Sequence, residues 1–185
     1  VRTAYLMDQN ARFCSAPSPF WKSIWNSHLH ERYKIFLWKV ASDALPLKAV
    51  LASRFSIDCK QCLLCNAPSE SADHLFLDCP ISSIIWREGP WPIHISQFSS
   101  LGIKGWISLF LNPTASLRVT HEDAKKFSIF ACVTMDQIWT ARNRALHGEG
   151  VPEISVMLAR ILSLTEEHWN SFLSNNCSPD SAKKT

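Results

Sequence analysis

Three cysteines and one histidine stand at C-x2-C-x8-H-x4-C spacing in the stretch CLLCNAPSESADHLFLDC, which runs from Cys62 to Cys79. Two cysteines separated by two residues can place both sulfurs on one ion. His74 and Cys79 supply two more ligands from a second segment. Zn2+ takes four such donors in a tetrahedron, with sulfur at about 2.3 Å and nitrogen at about 2.0–2.1 Å. Four protein ligands leave no position for water or substrate, so the spacing predicts one structural zinc rather than a catalytic one. A second register stays open, because Cys59 also stands two residues before Cys62 and could replace Cys65. Structural zinc in small peptides releases about 10–16 kcal/mol on binding, against about 5–15 kcal/mol for the whole stability of a domain. The segment from 56 to 80 is polar and irregular, so metal more than packing must order it. Leu75, Phe76 and Leu77 are the residues that could anchor it on flanking helices.

The remaining composition fits that use. Seven cysteines, three of them clustered round a histidine, favour metal over disulfides in an intracellular chain. Cys14, Cys132 and Cys177 read as small structural residues, and His28, His30, His94, His121, His147 and His168 as surface or helix-end residues. The sequon at Asn176 therefore carries no weight. No apolar leader opens the chain and no apolar run is long enough to span a membrane. Opening on Val1, the chain reads as part of a longer protein.

The ligands must be held by helices. Pro19 opens a short helix over FWKSIWNS, with Ser18 as its cap. Tyr33, Phe36, Leu37 and Val40 form one stripe of a helix ending at Leu45, before Pro46. Pro46 opens the next helix, and Pro80 opens another that stops at Gly89. Residues 90–100 read as a loop. GIKGWISLFLN is a short apolar helix, and Phe127, Phe130, Ala131, Thr134, Ile138 and Ala141 mark a long one. A last helix follows over residues 152–175. Residues 1–19 read as a short helix and loop. The predicted fold is mostly α: a small helical domain with an irregular zinc-stapled loop, followed by a helical C-terminal half. The expected divisions are 1–90, 91–175 and a disordered tail over 176–185. Eight Trp and ten Phe can build a small core from few positions.

Charge is uneven along the chain. Residues 21–62 carry seven basic and three acidic side chains, whereas 66–185 carry ten basic and twelve acidic. Lys22, Arg32, Lys34, Lys39, Lys48, Arg54 and Lys60 are therefore candidate phosphate contacts, the alternative being a solvated helix face. Arg142, Asn143 and Arg144 read as a solvated helix end.

Residues 20–87 resemble the zinc-binding domain of reverse transcriptases from plant non-LTR (LINE-type) retrotransposons. The resemblance rests on Trp21, Trp25, Phe36, Trp38, Leu45, Pro46, Cys62, Cys65, Glu70, His74, Cys79 and Trp86. VRTAY is similar to the lead-in of that family, and IWTARNRALH to a segment that follows the domain. Two positions depart from the pattern: Asn66 stands where a glycine is common, and Lys34 follows Tyr33 in the stretch leading into F-x-W. In full-length elements the domain lies beyond the polymerase and often before a ribonuclease H domain. The resemblance implies a non-catalytic module that helps the reverse transcriptase domain engage RNA or DNA. No Asp-Asp pair is present for polymerase metals, and the carboxylates lack the strand context of a ribonuclease H. No small-molecule substrate is expected. Trp21, Trp25, Trp38 and Trp86 are expected to pack around the zinc segment, with Trp38 otherwise free to stack on bases. The alternative function is a protein-interaction scaffold without nucleic-acid binding.

Overall fold

The computed structural model describes residues 18–55, 61–113, 117 and 119–176. Cys14, Cys59, Lys60, Cys177, the predicted helix near the start and nearly all of the predicted tail lie outside the described residues. Among the described residues the fold is helical, with no strand.

α1 (Pro19–Trp25) has Pro19 at its first position, where a missing N–H costs nothing, although the Ser18 side chain makes no capping bond. α2 (Glu31–Ala41) is capped by His30, whose imidazole accepts from the Arg32 N–H at 3.2 Å. It ends at Ala41, four residues short of the predicted end, because Asp43 turns into the left-handed region at φ 51°. α3 (Lys48–Phe55) starts two residues after Pro46. Its opening Lys48 N–H is taken by a carboxylate from outside the helix, Glu70, at 3.0 Å. α4 (Pro80–Glu88) runs as predicted. The expected loop that follows contains a 3₁₀ stretch, Ile95–Leu101, leading directly into α5 (Gly102–Leu111).

α6 (Ala124–Leu146) is the central strut, buried nearly all round between Phe127 and Ile138. It contacts α2, α4, α5 and α7 (Ile154–Asn176). One hydrophobic core runs from Ile24 to Ile161. Its centre is aromatic: Trp86 meets Trp106 edge to face at 5.2 Å, and Phe130 at 6.1 Å. Trp91 adds contacts to Phe127 and Phe130. Such pairs add about 0.5–1.5 kcal/mol each beyond the area they bury. The four tryptophans expected in the core divide. Trp86 is fully buried and Trp21 half-buried, but Trp25 and Trp38 are 43% and 41% exposed. The helical stripe of α2 runs through Tyr33, Phe36, Leu37 and Val40, which turns Trp38 outward.

Candidate metal centre

Cys62 and Cys65 sit on a tight knuckle. The Cys62 carbonyl accepts the Asn66 N–H at 2.9 Å, and the Cys62 N–H donates to the Ala67 carbonyl at 2.9 Å. The turn forces Asn66 to φ 61°. A side chain there costs strain that glycine avoids, and asparagine is among the residues that tolerate it best. This is the position where the sequence departs from the resembled pattern, and the backbone requirement is unchanged.

The second ligand pair is set by a π turn over His74–Asp78. The Cys79 N–H donates to the His74 carbonyl five residues back. With 3.6 residues per turn, an α-helix would put residues 74 and 79 about 140° apart. The wider turn brings both to one side, and such turns recur at functional sites. The expected anchor forms as well: Leu75, Phe76 and Leu77 are all fully buried. α4 then satisfies carbonyls on the turn. Ser82 Oγ donates to the Leu75 carbonyl at 2.6 Å and Trp86 Nε1 to the Phe76 carbonyl at 3.1 Å. Ser71 Oγ accepts the His74 N–H at 3.0 Å at the entry.

The result is a closed cluster. One donor atom from each of Cys62, Cys65, His74 and Cys79 lies within 4.8 Å of all the others. Cys65 Sγ stands 3.3 Å from His74 Nε2. Zinc at ordinary bond lengths sets sulfur–sulfur edges of about 3.8 Å and sulfur–nitrogen edges of about 3.6 Å, so the cluster needs only small adjustments. Cys65 is the partner that the described residues bring in, and Cys59 lies outside them. Cys62 and Cys79 are buried, and Cys65 and His74 half-buried.

The electrostatics call for a cation. Hydrogen bonding from Cys79, with the Leu64 and Cys65 N–H groups, pulls the Cys62 thiol down to about 5. The same contact, together with burial, pushes Cys79 well above the ordinary thiol range, and burial pushes Cys65 up. One thiolate forms readily, and the next two are opposed by like charge and desolvation. A divalent ion removes that opposition and deprotonates the coordinating thiols. Backbone N–H groups already point at the sulfurs: Ala67 at Cys65, and Ile81 and Ser82 at Cys79. Cys79 occupies the N-cap of α4, where the helix dipole favours negative charge. Three soft thiolates and an imidazole in tetrahedral reach fit Zn2+.

Residues 1–86 match the sequence model of a family described as zinc-binding in reverse transcriptase. That match covers 86 of the 185 residues and ends at Trp86. No curated protein and no solved structure matches the chain. The domain of this family is an accessory zinc-binding unit, not a catalytic one.

Within the segment that matches this family, Glu70 has a role that the donor spacing alone conceals. It is fully buried. Its Oε1 accepts the Leu63 N–H of the knuckle at 3.4 Å, and Oε2 accepts the Lys48 N–H. Arg142 of α6 closes on both oxygens, Nε to Oε1 at 3.1 Å and Nη2 to Oε2 at 2.7 Å. The expectation for Arg142 as part of a solvated helix end is therefore corrected. It is 1% exposed, it also donates to the Pro46 carbonyl, and its guanidinium lies over Trp139 at 5.0 Å. A signal for this was present: a motif glutamate that is not a ligand, and a second similar segment carrying an arginine. Asp73 ties the segment to the other side by accepting the Ile103 N–H at 2.6 Å at the start of α5.

The basic candidates scatter. Lys22 is exposed on α1. Lys34 is buried and paired with Glu31 at 2.8 Å, which removes it from open solvent. Arg32 pairs with Asp136 at 2.8 Å while remaining 63% exposed. Arg54 is exposed and donates to the Asp43 carbonyl. Arg32 and Lys39 line one depression and Lys48 another, and the two meet at Pro46 and Trp139. Of the histidines, His28 bonds the Lys125 carbonyl at 2.9 Å, and His168 bonds the Tyr33 hydroxyl at 2.8 Å. Cys132 is fully buried and apart from the cluster. No helix among the described residues is long and apolar enough to cross a membrane.

Proposed function

We propose that this chain is the non-catalytic zinc module of a retrotransposon-type reverse transcriptase, of the plant non-LTR kind, and that it helps the polymerase hold RNA or DNA. The observation that carries the reading is the closed Cys62, Cys65, His74 and Cys79 cluster inside the segment that matches the reverse-transcriptase zinc-binding family. When bound, the metal supplies no reaction; it fixes the knuckle to the π turn. The chain's own residues do the rest. Glu70 carries the knuckle's position to α3 and α6, and Asp73 carries it to α5. The module is thereby a rigid mount for exposed cations such as Lys22 and Lys39.

The test combines metal analysis with a salt series of RNA and DNA binding. One zinc per chain is expected, together with binding that weakens as salt rises, with a logarithmic slope of about −0.7 to −0.9 per phosphate contact. Charge reversal at Lys22, Lys39 and Lys48 should flatten that slope. Metal-free protein with unchanged order would refute the zinc assignment. A zinc protein with no salt-dependent binding would favour a co-opted protein scaffold, a reading supported by the internal pairing of Arg32, Lys34 and Arg142.

A further inference from the structure

The two depressions that meet at Pro46 and Trp139 form a trough along α6, bounded by α2 at one end and α3 at the other, with volumes of about 530 and 450 Å³. Each falls in the range that accommodates a drug-sized ligand, of which a nucleotide is one. The floor is apolar and aromatic. Trp139 is half-buried, and its ring is held by the Arg142 guanidinium, itself locked on Glu70. Leu146 at one end and Ile35 at the other are 51% and 45% exposed. The charge around this floor is lopsided. Of the cations that line it, Arg32 is paired with Asp136 and Arg142 with Glu70; Lys39 and Lys48 complete the set, with no further carboxylate among the lining residues. Lys39 is exposed and makes no ion pair among the described residues. Trp38, beside it on α2, is also exposed.

We propose that this trough takes an unpaired nucleic-acid strand, with bases laid on Trp139 and the apolar floor and a phosphate on Lys39. This rests on the nucleic-acid reading above and gives it an address. An aromatic platform with flanking cations is how single strands are held without sequence preference. A duplex keeps its base faces stacked inside and would leave the floor without a partner. The coupling to the metal is physical: the platform is clamped by Arg142, Arg142 by Glu70, and Glu70 by the knuckle N–H of Leu63.

The test titrates zinc-loaded protein with labelled oligothymidylate and oligouridylate of about 12 nucleotides, a duplex of the same length, and an oligoglutamate peptide. Both single strands should bind more tightly than the duplex. Trp139→Ala should weaken them about 5- to 100-fold, and Trp139→Phe should restore most of the loss. Lys39→Glu should lower the salt slope by about 0.7. Lys104→Glu, exposed on α5 and outside the trough, is the control and should change neither the platform effect nor its rescue. If Trp139→Ala loses its fold, Lys39→Glu and Leu146→Glu carry the same decision from exposed positions. Strand binding that is indifferent to these variants but weakened by Lys104→Glu overturns the trough and leaves the nucleic-acid reading standing. Absence of any strand binding overturns both, as does binding of the acidic peptide alone.

Discussion

Glu70→Gln removes one charge from a fully buried ion pair and leaves Arg142, 1% exposed, without a counter-charge. Gln keeps an oxygen for one of the two backbone donors, Lys48 or Leu63, but neither the charge nor the bidentate grip of the guanidinium. Breaking such a pair by removing one partner costs about 3–5 kcal/mol. Against a total of about 5–15 kcal/mol, that is about a fifth of the stability or more. For a chain of 185 residues, a loss of this size lowers the melting temperature by roughly 6–20 °C. The assay is urea and thermal unfolding of zinc-saturated protein, with a competing chelator to read metal affinity. Because Glu70 also holds the knuckle through Leu63, the variant should lose about tenfold in metal affinity, the low end for a residue supporting ligands from outside. The double variant Glu70→Gln/Arg142→Met removes the stranded charge and should recover most of the stability lost by Glu70→Gln. A loss below about 1 kcal/mol for the single variant would refute the reasoning. So would a double variant equal to the sum of the two singles, since contacting residues must couple.

Cys65→Ser and His74→Ala should each release the metal and lower helical content, read by metal analysis and circular dichroism; one zinc per chain with full stability would reassign the ligands. Asn66→Val should destabilise by about 1–2 kcal/mol, because a β-branched residue cannot take φ 61° cheaply, whereas Asn66→Gly should be neutral or slightly stabilising. Equal unfolding midpoints for the two would show that the knuckle relaxes. Acidification should destabilise the fold through His28 and His168. Burial holds both below their ordinary value of about 6.5, so the folded state binds fewer protons. Their contribution is complete above about 6.5 and is lost as pH falls through the depressed values. His168 is faced by Tyr33, His30, Arg32, Asp136 and Glu167. Unfolding midpoints measured on either side of about pH 6.5 should therefore vary less in His168→Gln than in the parent, and an identical slope would remove His168 from the account.

The helices were legible where one local force decided them. Pro19 and Pro80 open α1 and α4, and the apolar stripe of α2 and the long pattern of α6 place their buried faces. Errors arose where a distant group set the end of an element. α3 begins at Lys48 because Glu70, twenty-two residues on, takes its N–H. α5 begins at Gly102 as the sequence indicates, and there Asp73 adds a long-range bond by accepting the Ile103 N–H. Periodicity carries no information about such long-range caps. The π turn escaped for a related reason: its extra residue is stabilised by Ser82 and Trp86 from the next helix, not by anything within HLFLD.

The site shows the same division. Its four clustered donors were readable because coordination chemistry restricts residue type and spacing together. Arg142 was not, because a single arginine on a helix looks the same whether it meets water or a buried carboxylate. What separates the cases is the unexplained glutamate. A carboxylate in a closed Cys3His segment that cannot be a fifth ligand has to be protonated, solvated or paired, and full burial leaves pairing as the low-energy outcome. That inference needs the burial of Glu70, which only the fold supplies. Once it is made, it also reaches the proposed surface: the arginine that answers Glu70 is the one that lies over Trp139, so the cysteine knuckle and the proposed trough are two ends of one polar chain.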